Sequence, residues 1–132
     1  MNIALVAHDN KKILMENLCI AYRNILNKHI LFATGSTGAL IEETANLHVN
    51  KYLAGHLGGE QQLGSQIINN DIDLVIFLRD PSYSKDYEDD INSLMRLCDV
   101  HNIPLASNLA TAEALLLTLD RGDLDWREII KQ

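Results

Sequence analysis

The sequence predicts an α/β domain of three layers, a doubly wound fold in which helices cover both faces of a mostly parallel five-stranded sheet. Three observations point there. Short apolar runs without strict alternation suit strands covered on both faces. Between them lie patterns with apolar residues at i, i+3, i+4 and i+7, the spacing of one helix face. Glycines, hydroxyls and ionisable side chains gather just after the strands, while the strands themselves stay apolar. Strand and helix alternate five times, which implies crossover connections and a parallel sheet between two helix layers.

In chain order, the first strand is Ile3 to Ala7, followed by a helix bearing Leu14, Leu18, Ala21 and Ile25. The second strand is Ile30 to Ala33, with a short helix at about Ser36 to Ala45. Val49 to Leu53 is a weaker strand candidate, and a further short helix fits at about Gln61 to Asn69. Leu74 to Leu78 is the fourth strand, followed by a helix with Ile91, Leu94, Met95 and Cys98 on one face. Ile103 to Ala106 completes the sheet, and Ala112, Leu115, Leu116 and Leu119 mark the last clear helix. With 132 residues, 47% of them hydrophobic, and no linker or repeat, residues 1–132 are expected to form a single domain with its own core.

Charge narrows the function. Eighteen acidic against eleven basic residues give a net −7, and without a basic run this disfavours nucleic acid and anionic membranes as partners. The apolar runs are too short to span a bilayer, and the chain opens on Asn2-Ile3-Ala4-Leu5-Val6 with no basic leader, so a cytoplasmic location is expected. Cys19 and Cys98 lie far apart in apolar helical patterns and read as buried thiols rather than a disulfide or metal pair. No cofactor and no metal is expected.

Open parallel sheets bind ligands in the crevice beyond the carboxyl ends of their strands. Here those ends carry His8-Asp9, Thr34-Gly35-Ser36-Thr37-Gly38, Gly55-His56-Leu57-Gly58-Gly59-Glu60, Arg79-Asp80 and Ser107-Asn108. The Thr34 to Gly38 turn admits two readings: backbone N–H groups and hydroxyls that cradle phosphate, or an ordinary helix cap by Ser36 or Thr37. Lys12, about one turn into the first helix, is either a cation reaching toward an anion or a solvated lysine. Asp9 is expected as the N-cap of the helix beginning near Lys11. Glu60 falls at a helix start, where the dipole favours its ionised form, and it reads either as a base or as an ordinary helix-start glutamate. The loop Ser82 to Asp89, dense in Asp86, Glu88 and Asp89 and followed by Asp90, complements the dipole of the helix after it.

In order and at matching spacing, Ala4-Leu5-Val6-Ala7-His8-Asp9, Ala33 to Gly38, Gly58-Gly59-Glu60-Gln61-Gln62, Ile76 to Pro81 and Ile103 to Asn108 resemble the methylglyoxal synthase family. The resemblance covers nearly the whole chain, including the tail Leu124-Asp125-Trp126-Arg127-Glu128. It implies a cytosolic, metal-independent lyase, a homohexamer, that converts dihydroxyacetone phosphate to methylglyoxal and inorganic phosphate. By matching motif it places phosphate at Lys12, Thr34, Gly35, Ser36, Thr37 and Gly55, with Ala54 beside them, substrate contact at His8 and support of the pocket at Asp9. Glu60 takes the position of the catalytic base, and Asp80 and Asp90 match the remaining active-site aspartates. The chemistry suits these residue types: a carboxylate takes a proton alpha to a carbonyl, donors stabilise the enediolate, and phosphate leaves by beta-elimination.

The chain departs from the family pattern at three places, all on the site. Glu60 stands where the family has aspartate. Asp86-Tyr87-Glu88-Asp89-Asp90 replaces Pro-His-x-Pro-Asp, so Tyr87 occupies the place of a polarising histidine. Ala54-Gly55-His56 replaces Ser-Gly-Pro. These departures define the alternative expectation, a catalytically impaired or altered-substrate relative that binds a phosphorylated metabolite.

Overall fold

A computed structural model describes residues 1–53, 58–82 and 85–130, and of residues 85–90 it describes the backbone. The strands are β1 (Asn2–Ala7), β2 (Ile30–Thr34), β3 (Asn50–Tyr52), β4 (Leu74–Leu78) and β5 (Leu105–Ala106). The helices are α1 (Lys12–Ala21), α2 (Arg23–Leu26), α3 (Gly35–Ala45), α4 (Gly59–Ile68), α5 (Lys85–His101), α6 (Leu109–Asp120) and α7 (Trp126–Ile130), with one 3₁₀ turn at Asp9–Lys11. All strand pairings are parallel, in the order β3-β2-β1-β4-β5. The order reverses direction between β1 and β4, and such a switch point opens a crevice at the carboxyl ends of the strands.

Residues alternate between the two faces although both faces are apolar. Ile3, Leu5, Leu74, Ile76 and Leu78 pack with Met15, Leu18, Ile41 and Leu116, which puts α1, α3 and α6 on one side. Ala4, Val6, Val75 and Phe77 pack with Leu63, Ile67, Ile91 and Leu94, which puts α4 and α5 on the other. Cys19 and Cys98 are buried in these two separate cores, and burial pushes each thiol up to about 12, so both stay protonated.

Several expected boundaries move, each for a local reason. The first helix breaks at Tyr22, where Arg23 turns away to donate from Nε to the Ala45 carbonyl (2.9 Å) at the end of α3. The third strand is shorter than Val49 to Leu53 because the amides of both end residues go to side chains. Val49 donates to Glu42 and Leu53 to Gln62. The fifth strand begins at Leu105 because Pro104 has no N–H to give, although its carbonyl accepts from Val75. The expected loop Ser82 to Asp89 is helical from Lys85 on, so its acidic residues belong to the opening of α5. No helix among the described residues is long and apolar enough to cross a membrane.

Candidate functional site

The β1–β4 switch point carries a polar cluster built on His8 and Asp80. His8 follows β1 and is buried, its ring edge-on to Phe77 at 5.2 Å between centroids. The Asp80 amide donates to His8 Nδ1 at 2.8 Å, so Nδ1 keeps its lone pair and the neutral ring carries its proton on Nε2. Burial lowers the His8 pKa, and it outweighs the upward pull of the Asp80 carboxylate. A neutral imidazole with an Nε2 proton is a donor suited to polarising a carbonyl oxygen.

The Asp80 carboxylate is fully engaged. Its Oδ1 accepts from the Ser82 hydroxyl at 2.7 Å and the Ser82 amide at 3.0 Å, and its Oδ2 accepts from Asn10 Nδ2 at 2.6 Å. The Ser82 hydroxyl and amide hold this carboxyl below the usual carboxylate range, with a smaller contribution from Asn10. A carboxylate held by three donors in this way braces the turn after β4.

The second cluster lies at the start of α3. Lys12 Nζ donates to Ser36 Oγ at 3.0 Å and pairs with Asp9 Oδ1 at 3.1 Å, which sets an ammonium beside the opening turn of the helix. Thr37 is 1% exposed, and its Oγ1 is the one buried side-chain polar atom among the described residues without a hydrogen-bond partner. Buried hydroxyls are ordinarily satisfied, so this atom stands out among the polar groups of the fold. The capping expectations are corrected here. Thr34 is the N-cap residue of α3 and makes no side-chain cap bond, Ser36 and Thr37 lie inside the helix, and Ser36 is taken by Lys12. Nor does Asp9 cap α1, since it opens the 3₁₀ turn and faces Lys12.

Glu60 lies in the first turn of α4, half-buried. Gly58 at the N-cap has φ 109°, and a Cβ at Gly59 would overlap the Leu53 carbonyl oxygen and stand 3.1 Å from Thr34 Cγ2. Two glycines therefore let the start of α4 press against the ends of β3 and β2, bringing the Glu60 turn alongside Thr34. Gln62 holds it there by accepting from the Leu53 amide at 2.7 Å, and Gln66 accepts from the Tyr52 hydroxyl. Glu60 also borders a groove of about 240 Å³ between α4 and α5, lined by Gln61, Gly64, Ser93, Leu94 and Leu97.

The structure thus joins Lys12 to Ser36 and Asp9, and His8 to Asp80, while Thr34 meets the turn that carries Glu60. Ala54 and Gly55 lie outside the described residues, as do the side chains of Tyr87 and Asp90, whose backbone belongs to α5. Sequence reasoning missed Asn10, Ser82 and Gln62. The Asp-x-Ser spacing at 80–82 is the signal of a side-chain-closed turn and could have found Ser82; nothing local marks Asn10.

Comparison with known proteins agrees across the chain. A family model described as an MGS-like domain matches residues 15–107. A methylglyoxal synthase of Caldicellulosiruptor saccharolyticus is 62% identical over 130 residues, covering 98% of this chain and 92% of that protein. One from Alkaliphilus metalliredigens is 57% identical over 132 residues, with 100% and 98% covered. The crystal structure of methylglyoxal synthase from Elizabethkingia anophelis NUHP1 superposes with a TM-score of 0.77 at 43% identity, covering 87% of this chain and 76% of that one.

Proposed function

The chain belongs to the methylglyoxal synthase family, and from that premise we propose that it is a carbon–oxygen lyase converting dihydroxyacetone phosphate to methylglyoxal and inorganic phosphate. The observation that carries the reading is the pairing of Lys12 Nζ with Ser36 Oγ beside the unpartnered, buried Thr37 Oγ1. A cation, a hydroxyl and a helix start meet there, donors that a phosphate monoester needs, and Thr37 is the next residue of the same turn. Thr34, Gly35 and, by family motif, Ala54 and Gly55 complete the phosphate site.

In this reading Glu60 removes a proton from the hydroxymethyl carbon of the substrate, and the electron pair moves onto the carbonyl oxygen to form an enediolate. His8 donates from Nε2 to that oxygen and stabilises the developing charge. The hydroxyl on the deprotonated carbon then gives up its proton to the departing phosphate, its oxygen pair forms the aldehyde while the double bond shifts toward the ester carbon and breaks the bond to phosphate, and the enolate left behind takes a proton at its terminal carbon to become methylglyoxal. Lys12 and the amides opening α3 hold the leaving group, and Asp9 steadies Lys12. Asp80 positions His8 and does not transfer protons. Asp90 and Tyr87, at the opening of α5, take the remaining family positions. Hydrogen-bond donors stabilise every charged species in this sequence, so activity is expected to survive chelators.

The chain works as a single domain, in the cytoplasm, and assembles as a homohexamer, on family membership. Incubation of the purified protein with dihydroxyacetone phosphate tests the reading. It predicts methylglyoxal and phosphate released one for one, and binding of the substrate without release of either product would put the metabolite-binding alternative in its place.

A further inference from the structure

Asn10 is given no role by the family motifs and none in the steps of the reaction proposed above. It sits in the middle of the Asp9–Lys11 turn, two residues beyond His8, and its Nδ2 donates to Asp80 Oδ2 at 2.6 Å. Asp80 in turn gives its amide to His8 Nδ1 at 2.8 Å, and the His8 amide donates to the Leu78 carbonyl at 3.2 Å. These three bonds close a ring across the ends of β1 and β4, at the switch point of the sheet. We propose that Asn10 is a positioning residue for His8: by holding Asp80 Oδ2 it keeps the Asp80 amide aimed at Nδ1 and so keeps the imidazole proton on Nε2.

Asn10 and Ser82 share the Asp80 carboxylate. Its Oδ1 is occupied twice by Ser82, while its Oδ2 has Asn10 as its donor. An ionised oxygen in a partly buried turn that loses its donor takes the next donor within reach. The His8 ring is adjacent, and a carboxylate turned toward it would favour a proton on Nδ1, either in the other neutral tautomer or in the imidazolium. That proton would displace the Asp80 amide and undo the ring. Asp80 and Asp9 favour a charged His8, Arg79 opposes it, and Lys11 faces Asp80. Asn10 is thus the neutral donor that keeps the nearest of these carboxylates engaged without adding charge.

The proposal builds on the reading of His8 as the polarising donor, so its test has one arm that needs no turnover. Imidazole ¹⁵N spectra of the full chain, recorded through a pH titration, report the tautomer and protonation of His8 in the wild type, Asn10→Ala and Asn10→Asp. The wild type is expected as the Nε2–H tautomer. Both variants are expected to raise the protonated fraction of His8 at about pH 6 by roughly twofold or more, Asn10→Asp the more strongly because it adds a negative charge beside Asp80.

In turnover, kcat should fall about tenfold in Asn10→Ala and further in Asn10→Asp, because a donor is misdirected rather than removed. KM and inhibition by inorganic phosphate should stay within about twofold, since the Lys12–Ser36 site is untouched. An unchanged His8 titration in Asn10→Asp, which preserves side-chain size, would overturn the proposal. So would a loss confined to KM and phosphate affinity, which would make Asn10 a support for Lys12. A protein without synthase activity but with the expected shift in the His8 titration would keep this inference and refute the functional reading.

Discussion

At the amino ends of the strands the Arg127 guanidinium is fully buried. It donates to the Asn102 carbonyl (2.8 Å), Asn70 Oδ1 (3.0 Å), Asp73 Oδ1 (3.3 Å) and the Ile72 carbonyl (3.3 Å). Asp73 also accepts from the Asn2 amide at 2.8 Å, so α7, β1, β4 and the turn before β5 meet at one charge pair. Asn46, Asn70 and Asn102 follow α3, α4 and α5 with φ of 53°, 57° and 55°, and two of them belong to the Arg127 cluster. At the carboxyl ends, among the described residues, the polar groups are not all consumed within the fold, since the buried Thr37 Oγ1 has no partner. The difference is between a clasp whose polar groups satisfy each other and an end of the sheet where a buried hydroxyl is left without a partner.

The largest blow to this contrast is aimed at the clasp. Arg127→Met should lower the unfolding free energy by about 3–5 kcal/mol, since it leaves the buried Asp73 carboxylate without its guanidinium, while kcat and KM of the folded fraction stay near wild type. Chemical denaturation together with steady-state kinetics on the same sample checks both halves. A variant of wild-type stability would mean that the amino-end network is not a clasp.

Gly59→Ala probes the boundary between packing and chemistry. Its Cβ would overlap the Leu53 carbonyl, so α4 must shift, and kcat should fall by about a hundredfold, as expected for an ångström-scale displacement of a base. Stability should fall by about 1–3 kcal/mol from the same overlap. Unimpaired turnover would detach the start of α4 from the reaction.

A smaller effect comes from pH. Since the folded-state pKa of His8 lies below its ordinary value, the folded protein binds fewer protons there than the unfolded chain. The His8 contribution to stability is therefore whole above the ordinary histidine pKa and declines as pH falls below it. The same protonation breaks the Asp80 amide bond to Nδ1, so kcat should drop along that acid limb. Following kcat and thermal midpoint together from pH 8 to pH 5 checks this, and a His8→Asn protein should lose that part of both dependences.

The finest test concerns the family departures. Tyr87→His combined with Glu60→Asp should raise kcat more than the two single changes together, because base and polariser act on one transition state. Four-way kinetics measures the coupling, and simple additivity would separate the two positions.

How legible this was depended on how local each signal is. Short continuous apolar runs and helical spacing specify the sheet and its two helix layers, and Leu74–Leu78 is a strand as expected. The ends of β3 and β5 were illegible for the opposite reason: distant side chains of Glu42 and Gln62 intercept ladder amides, and the Pro104 ring removes one. In the site, Lys12, Ser36 and the Glu60 turn could be read because they sit in motifs beside strand ends. Asn10–Asp80 and Asp73–Arg127 span 70 and 54 residues, and no window of sequence carries such pairings.

Glu60 is the proposed base of the phosphate-holding site. Turnover of dihydroxyacetone phosphate by Glu60→Gln, measured beside its affinity for inorganic phosphate, addresses that claim most directly. Loss of the proton acceptor with retention of shape predicts kcat lowered by about a thousandfold or more with phosphate affinity within about twofold. A Glu60→Gln protein that kept most of its rate would contradict the account and move the base to another carboxylate, Asp90 first.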